Sequence, residues 1–333
     1  MMGFRVIHPG VLTSVQDLGR RGLQQYGVVV SGAMDPLALR VANILVGNDE
    51  NAAALETTLL GPEVEFLHDA LIAVCGGELP ASIDGQFVPS WRAVWVAAGA
   101  VLRIGKAIAG CRAYLAIAGG IDVPVVMGSR STYLRAKMGG FAGRALRVKD
   151  QMATGPLSLR NREISERLSA RAKGRSFVIG RWFPSISMAY GANPSTIRAM
   201  RSSECNWLCP ESQRQLFSGA YALTKESDRM GFRLSGPKLM LKNSRELLSE
   251  AVCMGTIQVP PEGQPIILMA DCATTGGYAK AAQVATVDLS WLAQISPGAK
   301  LQIQEISINE AQRLYRDQEA MLNKLRHATT LME

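Results

Sequence analysis

Asp271-Cys272-Ala273-Thr274-Thr275-Gly276-Gly277-Tyr278-Ala279-Lys280 sets an acid, two hydroxyls, two glycines and a lysine within ten positions, directly after the apolar run from Pro265 to Met269. A lysine can stabilise developing negative charge, and a carboxylate can orient a cation or move a proton. Paired glycines let backbone N–H groups approach a ligand oxygen. Four other strings share this character: Thr13-Ser14-Val15-Gln16-Asp17-Leu18-Gly19-Arg20, Ser31-Gly32-Ala33-Met34-Asp35, Gly128-Ser129-Arg130-Ser131-Thr132 and Ser227-Asp228-Arg229-Met230-Gly231. Each puts a carboxylate or an arginine beside a glycine, a composition suited to cradling an anion or an amide, with arginine clamping two oxygens at once. Taken singly, each also reads as a capped turn or a buried ion pair.

Other chemistries find no support. Gly99-x5-Gly105-Lys106-Ala107 is one residue too long for a phosphate loop and has alanine where the magnesium-binding hydroxyl would stand. No G-x-G-x-x-G opens a helix after a strand, and no G-x-S-x-G elbow accompanies the three histidines, His8, His68 and His327. Cys205-x3-Cys209 is the only close cysteine pair and has no histidine near it, so no metal site is expected. Ala136-Lys137-Met138 lacks the methionine that precedes a biotin-accepting lysine, so no biotin is expected on this chain.

The elements that position these strings are read from periodicity. Short apolar or alternating runs bounded by glycine (Phe4 to Ile7, Val64 to Leu67, Leu71 to Cys75, Ala93 to Ala97, Val101 to Ile104, Arg112 to Ile117) predict a β-barrel or sandwich in the first half. Asp35-Pro36 followed by Leu37, Leu39, Val41, Ala42, Ile44 and Leu45 and stopped by Gly47 predicts a helix. From Met152 to about Gly174 no run can bury a face, and a linker is expected. Strands resume at Thr196 to Met200, Ala220 to Leu223, Thr256 to Val259, Pro265 to Met269 and Lys300 to Gln304, before a closing helix from Ser307 to Leu325. The expected organisation is an N-terminal β-barrel lobe over 1–155, a basic linker or insertion over 156–195, a second lobe over 196–306 and a C-terminal helix over 307–333.

With 333 residues, 47% of them apolar and 19% charged, the chain has material for two domains and the composition of a globular protein. Its net charge of +8 is concentrated between Arg160 and Arg181, where seven basic residues face only Glu163 and Glu166. Few aromatics interleave for base stacking, so the segment reads as a solvated face and not as a nucleic-acid site. The six cysteines are scattered among apolar neighbours, as in a reducing compartment, and the opening Met1 to Pro9 has no signal-peptide pattern. The longest apolar tract, Ala93 to Ile121, is interrupted by Arg103, Lys106 and Arg112, so no membrane span and a cytoplasmic location are expected.

Several strings occur together in a recognisable order. Thr13 to Asp17 with Gly19-Arg20, Ser31 to Pro36, Ala42-Asn43-x2-Val46-Gly47-Asn48 and Leu55-Glu56-x4-Gly61-Pro62 come first. Gly128 to Thr132, Ser227 to Gly231, Ile257-Gln258-Val259-Pro260 and Thr274 to Tyr278 follow. Over residues 5–305 the chain resembles the biotin-dependent carboxyltransferase-like family, which comprises KipA, or the 5-oxoprolinase C subunit, together with the second half of the urea carboxylase carboxyltransferase domain. The resemblance implies a mainly β fold with a few helices, a two-lobed cyclophilin-like β-barrel architecture. It also implies a KipI-like partner, in a heterodimer or heterotetramer, and a third, LamB/YcsF-like partner. Together such chains open the lactam of 5-oxo-L-proline to L-glutamate with ATP as co-substrate. A lactam carbonyl is a poor electrophile, and phosphorylating its oxygen would activate it, which demands that carboxylate, lactam and phosphoryl group be held in register.

On that reading Asp228, Asp271 and Lys280 are the catalytic candidates. Gln16, Asp17, Arg20, Ser31, Asp35, Arg130, Arg229, Thr274, Thr275, Gly276 and Gly277 are the substrate-binding candidates. Residue chemistry suggests that Arg229 and Arg130 bind anionic groups and that Gln16 and Asp17 orient the amide. Lys280 is expected to begin a helix whose N-terminal N–H groups face the pocket. Two departures from the family pattern stand out: Ser202 to Pro210 replaces a Gly-Pro-Gln string, and Cys272-Ala273 replaces a bulkier polar pair. The rival readings are a carboxyltransferase acting on a urea-like or amide nitrogen, and a regulatory protein that antagonises a kinase inhibitor.

Overall fold

A computed structural model describes residues 2–184, 195–243 and 247–331. They form a mainly β protein that divides into two compact units. The first comprises residues 1–19, 35–185 and 320–333, and the second residues 20–34 and 186–319.

In the first unit the six strands expected from sequence pair with seven others into two antiparallel sheets. One sheet runs Ile121–Asp122, Gln151–Thr154, Met2–His8, Glu63–Phe66, Val101–Ile104, Ala81–Ile83, Gln86–Val88. The other runs Phe177–Ile179, Val94–Val96, Ala70–Glu78, Ala109–Ile117, Ala54–Thr58, Leu12–Gln16. Alternate residues of both, such as Phe4 and Val6, Val64 and Phe66, Ile72 and Val74, enter one shared core. That is the period-2 outcome of strands with one buried face. Helix α1 (Pro36–Leu45) forms as predicted: the Asp35 carboxylate accepts from the Ala38 N–H at 2.9 Å and Pro36 occupies the first turn. Gly47, at φ 77°, turns the chain away from the helix end.

The expected linker is structured where it is described. Gln151–Thr154 is a strand of the first sheet, and helix α2 (Leu159–Ser169) opens with a reciprocal capping box between Ser158 and Asn161. Only Ile164 and Leu168, four apart, bury apolar side chains on it, so the stripe is too narrow to register against the surrounding arginines and glutamates. Residues 185–194 of that expected linker lie outside the described residues.

The second unit is a closed seven-stranded barrel. Its order is Thr196–Arg201, Ala279–Val284, Thr256–Val259, Ile266–Leu268, Gly231–Ser235, Ala220–Leu223, Lys300–Glu305. The last strand closes on the first in parallel, through pairs such as Ile197 with Ile303. Ile197 and Ala199, Phe232 and Leu234, Ile257 and Val259, and Leu301 and Ile303 fill the core. Met34 joins this core, so the segment over 20–34 belongs structurally to the barrel although its chain neighbours belong to the first unit. Helices α3 (Pro210–Ser218) and α4 (Thr286–Leu292) are short, and α5 (Ile308–Leu331) is the expected closing helix, ending six residues beyond Leu325, where the pattern stopped. Among the described residues no helix is long and apolar enough to cross a membrane.

Candidate functional site

Two groups of the sequence-selected residues lie in the first unit. Asp17 ends the strand Leu12–Gln16 and is 3% exposed. Its Oδ1 accepts from Gly19 N–H at 2.8 Å and Ser129 Oγ–H at 2.7 Å, and also from Ser131 Oγ–H; its Oδ2 accepts from Arg130 N–H at 2.5 Å. The carboxylate is therefore committed to shaping the Gly128 to Thr132 loop. Arg130 is half-buried and donates through Nε to the Val123 carbonyl at 3.1 Å. Next to it, Gln16 is fully buried and donates to Ser14 Oγ at 2.9 Å and to the Thr132 carbonyl at 3.1 Å. Asp35 caps α1, and its own N–H donates to Tyr114 Oη at 2.8 Å while that hydroxyl donates to Glu56 Oε2 at 2.6 Å. Burial, followed by the charges of Glu56 and Asp35, drives the Tyr114 phenol well above its ordinary value. Asp35 thus serves the helix start and a buried network, with no exposed edge.

In the second unit, Arg229 and Asp271 form a two-pronged buried pair. Nε donates to Oδ2 at 2.8 Å and Nη2 to Oδ1 at 3.0 Å, with 9% and 6% of the side chains exposed. Ser31 Oγ donates to Asp271 Oδ1 at 2.8 Å and Arg229 Nη2 donates to the Gly32 carbonyl at 2.6 Å, tying Ser31-Gly32 to the barrel. Arg20 is fully buried in the same unit, and its N–H donates to the Val30 carbonyl at 2.7 Å. Asp228, three positions before the strand that opens at Gly231, is exposed and accepts the N–H groups of Met230 at 2.8 Å and Gly231 at 3.2 Å, a turn-closing use of its carboxylate. Neighbours in sequence, Asp228 and Arg229 thus serve different tasks.

Lys280 lies in the strand Ala279–Val284, which corrects the expectation of a helix start there. Its Nζ contacts Glu204 Oε1 and Glu250 Oε2, both at 2.7 Å, and its N–H donates to Glu204 Oε2 at 2.7 Å. Partial burial pulls the ammonium down, but the hydrogen bonds to Glu204 and Glu250 outweigh it and hold the group above the ordinary lysine value. The two glutamates leave this cluster with a net charge of −1. It borders a cavity of about 340 Å³ walled by Ser203, Glu204, Cys253, Thr256, Lys280 and Gln283, among others. Thr274, Thr275 and Gly276 lie beside this region: Val252 N–H donates to the Thr274 carbonyl at 3.0 Å, and Thr275–Gly276 pairs with Glu250–Ala251 as a two-residue ribbon. Gly277 follows the ribbon, where an added Cβ would stand 3.3 Å from the Leu247 carbonyl.

Sequence reasoning did not select Glu204, Glu250 or Gln258. Glu204 lies in the string that departs from the family pattern, and only the fold brings it 76 positions along the chain to Lys280. Gln258 stands within Ile257-Gln258-Val259-Pro260, where a polar residue between two core residues is the available signal. Cys272, beside Asp271, is pushed up to about 12 by burial, then by the neighbouring Cys253 and Asp271, so it is an unreactive thiol.

Comparison with known proteins gives these clusters a context. The carboxyltransferase domain, subdomain A and B, matches residues 26–305. The chain is 38% identical over 313 residues to the 5-oxoprolinase C subunit of Haemophilus influenzae, covering 94% of each. Identity to the Escherichia coli K12 protein of the same name is 39% over 322 residues, covering 96% of this chain and 97% of that one. Among solved structures, the K. lactis urea amidolyase superposes with a TM-score of 0.85 at 30% identity, over 97% of this chain but 20% of that one.

Proposed function

Because the chain belongs to the carboxyltransferase domain family, subdomain A and B, we propose that it works as the C subunit of an ATP-dependent 5-oxoprolinase. The reaction adds water across the lactam C–N bond of 5-oxo-L-proline to give L-glutamate, driven by ATP hydrolysis. The observation that carries this reading is end-to-end correspondence: the 5-oxoprolinase relatives match over 94% and 97% of their own lengths, whereas a Saccharomyces cerevisiae urea amidolyase matches over 17% of its length.

The proposed assembly has a KipI-like partner and a LamB/YcsF-like partner, it works in the cytoplasm, and this chain is inactive without them. ATP is a co-substrate of the assembly, and this chain carries no biotin. Within the chain, the two buried anchors support a binding role. Asp17 fixes the loop that bears Arg130, and the Arg229–Asp271 pair fixes Ser31-Gly32, so that these backbone segments hold one shape before any ligand arrives. Lys280 is the group suited to meet developing negative charge, and its raised affinity for a proton keeps it cationic at neutral pH.

The test is reconstitution. Glutamate release from 5-oxoproline and ATP is measured with all three proteins and with this chain left out. Omission should abolish turnover; an unchanged rate removes the reading. The likeness to urea amidolyase favours one alternative, carboxyl transfer to a urea-like or amide nitrogen. It predicts instead carboxylated product with a biotinylated partner and bicarbonate.

A further inference from the structure

Lys280 Nζ stands between two carboxylates, Glu204 Oε1 and Glu250 Oε2, both 2.7 Å away. An ammonium shared by two carboxylates has its charge more than matched, so it offers little to a third anion while both stay in place. The two glutamates are held very differently. The Glu204 side chain is 9% exposed, and its second oxygen accepts the N–H of Lys280 itself at 2.7 Å. The segment that carries it is fastened to the same strand: Ser202 N–H donates to the Ala281 carbonyl at 3.1 Å and Ser202 Oγ–H to the Lys280 carbonyl. The Glu250 side chain is 64% exposed, and its carboxylate makes no other hydrogen bond among the described residues. It stands on the ribbon Glu250–Ala251, which pairs with Thr275–Gly276 and lies outside the barrel sheet. A side-chain rotation is enough to move Glu250 into water, where salt screens its charge, while Glu204 stays.

Lys280 and Glu204 both line the cavity of about 340 Å³, and Lys280 is the sole cation among the described residues of its wall. Two other polar groups of the wall are already partnered: Thr256 Oγ1–H donates to Gln283 Oε1 at 2.9 Å, and Gln283 Nε2–H to the Met254 carbonyl at 2.9 Å. Ser203 adds a hydroxyl. The cavity thus sets space for a small molecule beside an ammonium with one fixed and one exchangeable counter-ion.

We propose that this cavity binds a small oxyanion, a carboxylate or a phosphoryl group, whose oxygen takes the place of Glu250 on Lys280 Nζ while Glu204 remains. The exchange replaces one anionic oxygen by another, so the ammonium keeps two anionic partners and the released Glu250 enters solvent. Glu250 is then a built-in competitor that lowers the affinity of the site for anions. The proposal deepens the 5-oxoprolinase reading and rests on it for the candidate ligands, since the carboxylate of 5-oxoproline and the phosphates of ATP share this chemistry.

Isothermal titration calorimetry on the purified full chain tests this with four ligands: 5-oxoproline, ATP, inorganic phosphate and the neutral lactam 2-pyrrolidone. Glu250→Gln removes a competitor of surface ion-pair strength and should tighten oxyanion binding about two- to fivefold. Lys280→Met should weaken it at least about tenfold, and 2-pyrrolidone should bind all the proteins alike. In the Lys280→Met background the gain from Glu250→Gln should vanish, because the two residues act through one contact. A gain for 5-oxoproline alone identifies the carboxylate as the occupant, and a gain for phosphate and ATP alone the phosphoryl group; either supports the site. Glu250 is exposed, so a tighter complex in its variant does not come from lost folding. Oxyanion binding that is absent, or no tighter in Glu250→Gln, overturns the proposal, as does an equal gain for 2-pyrrolidone. A gain that persists without Lys280 comes from the general field of the glutamate and overturns it too. Glutamate release by the reconstituted assembly is measured separately: turnover without the affinity pattern removes the exchange and leaves the function, and the pattern without turnover does the reverse.

Discussion

Arg229 holds Asp271 with two parallel hydrogen bonds, 2.8 Å and 3.0 Å long, in a setting where neither side chain is more than 9% exposed. A forked guanidinium and a carboxylate fit edge to edge, so the pair specifies an orientation as well as an attraction. Its further bonds to Ser31 and Gly32 make it the clasp between the 20–34 segment and the barrel strands.

Breaking that clasp from one side should be costly, because the remaining ion stays buried without its counter-charge. Arg229→Ala or Asp271→Ala is expected to lower unfolding free energy by about 3–5 kcal/mol, and Arg229→Lys by less, since lysine keeps the charge but loses the fork. Urea denaturation of the purified chain reads this directly. A loss below about 1 kcal/mol in the alanine variants would contradict the structural role.

The Asp17 anchor predicts a graded response in the first unit. Ser129→Ala or Ser131→Ala removes one donor from a buried carboxylate and should cost about 1–3 kcal/mol. If the Gly128 to Thr132 loop serves binding, the same variants raise KM in the reconstituted assembly more than they lower kcat. Stability loss with both constants untouched would confine Asp17 to folding.

Alkaline titration tests the Lys280 cluster. Its folded value is above the lysine norm, because hydrogen bonds to Glu204 and Glu250 exceed the opposing effect of burial, so the folded chain holds that proton more tightly than the unfolded chain. The resulting stability is fully present below the unfolded lysine value, about 10.4, and drains as pH rises through the higher folded value. Wild type should therefore lose more stability than Lys280→Met between about pH 10 and pH 12 in urea melts. Parallel pH profiles for the two proteins would show that the ion pairs add nothing.

Gly276→Ala tests how tightly the ribbon packs on Gln258. The added Cβ meets the tip of the Gln258 side chain and not backbone, so a rotamer change can relieve it. The expected stability loss is modest, about 1 kcal/mol in urea melts, and a loss above about 3 kcal/mol would show that the Gln258 side chain cannot move aside.

The local elements were legible because their signals are local. Asp35-Pro36 announces α1 through one cap and one preset φ, and alternation announces strands such as Val101–Ile104 and Thr256–Val259. Helices α3 and α4, nine and seven residues long, escape because two turns give a 3.6-residue period little room to repeat, and α2 escapes because two buried side chains make its whole apolar stripe. Lys280 reads as a helix start because Gly276-Gly277 mimics a loop before an N-terminus, whereas the ribbon with Glu250–Ala251 leads the chain straight into a barrel strand.

The sequence by itself determined the family, the mainly β class and the polar strings from which the candidate site is drawn, since each depends on residue type and order. Only the tertiary structure decided what each polar group is used for. Asp17 and Asp228 look alike beside their glycines, yet one is buried under four donors and the other closes an exposed turn. Glu204 and Lys280, 76 positions apart, become partners because the pairing of strand Thr196–Arg201 with strand Ala279–Val284 lays the Ser202 to Glu204 segment against the latter. Hydrogen bonding and ion pairing act over a few ångströms, so a polar side chain acquires its role from neighbours that the fold, and not the chain order, supplies.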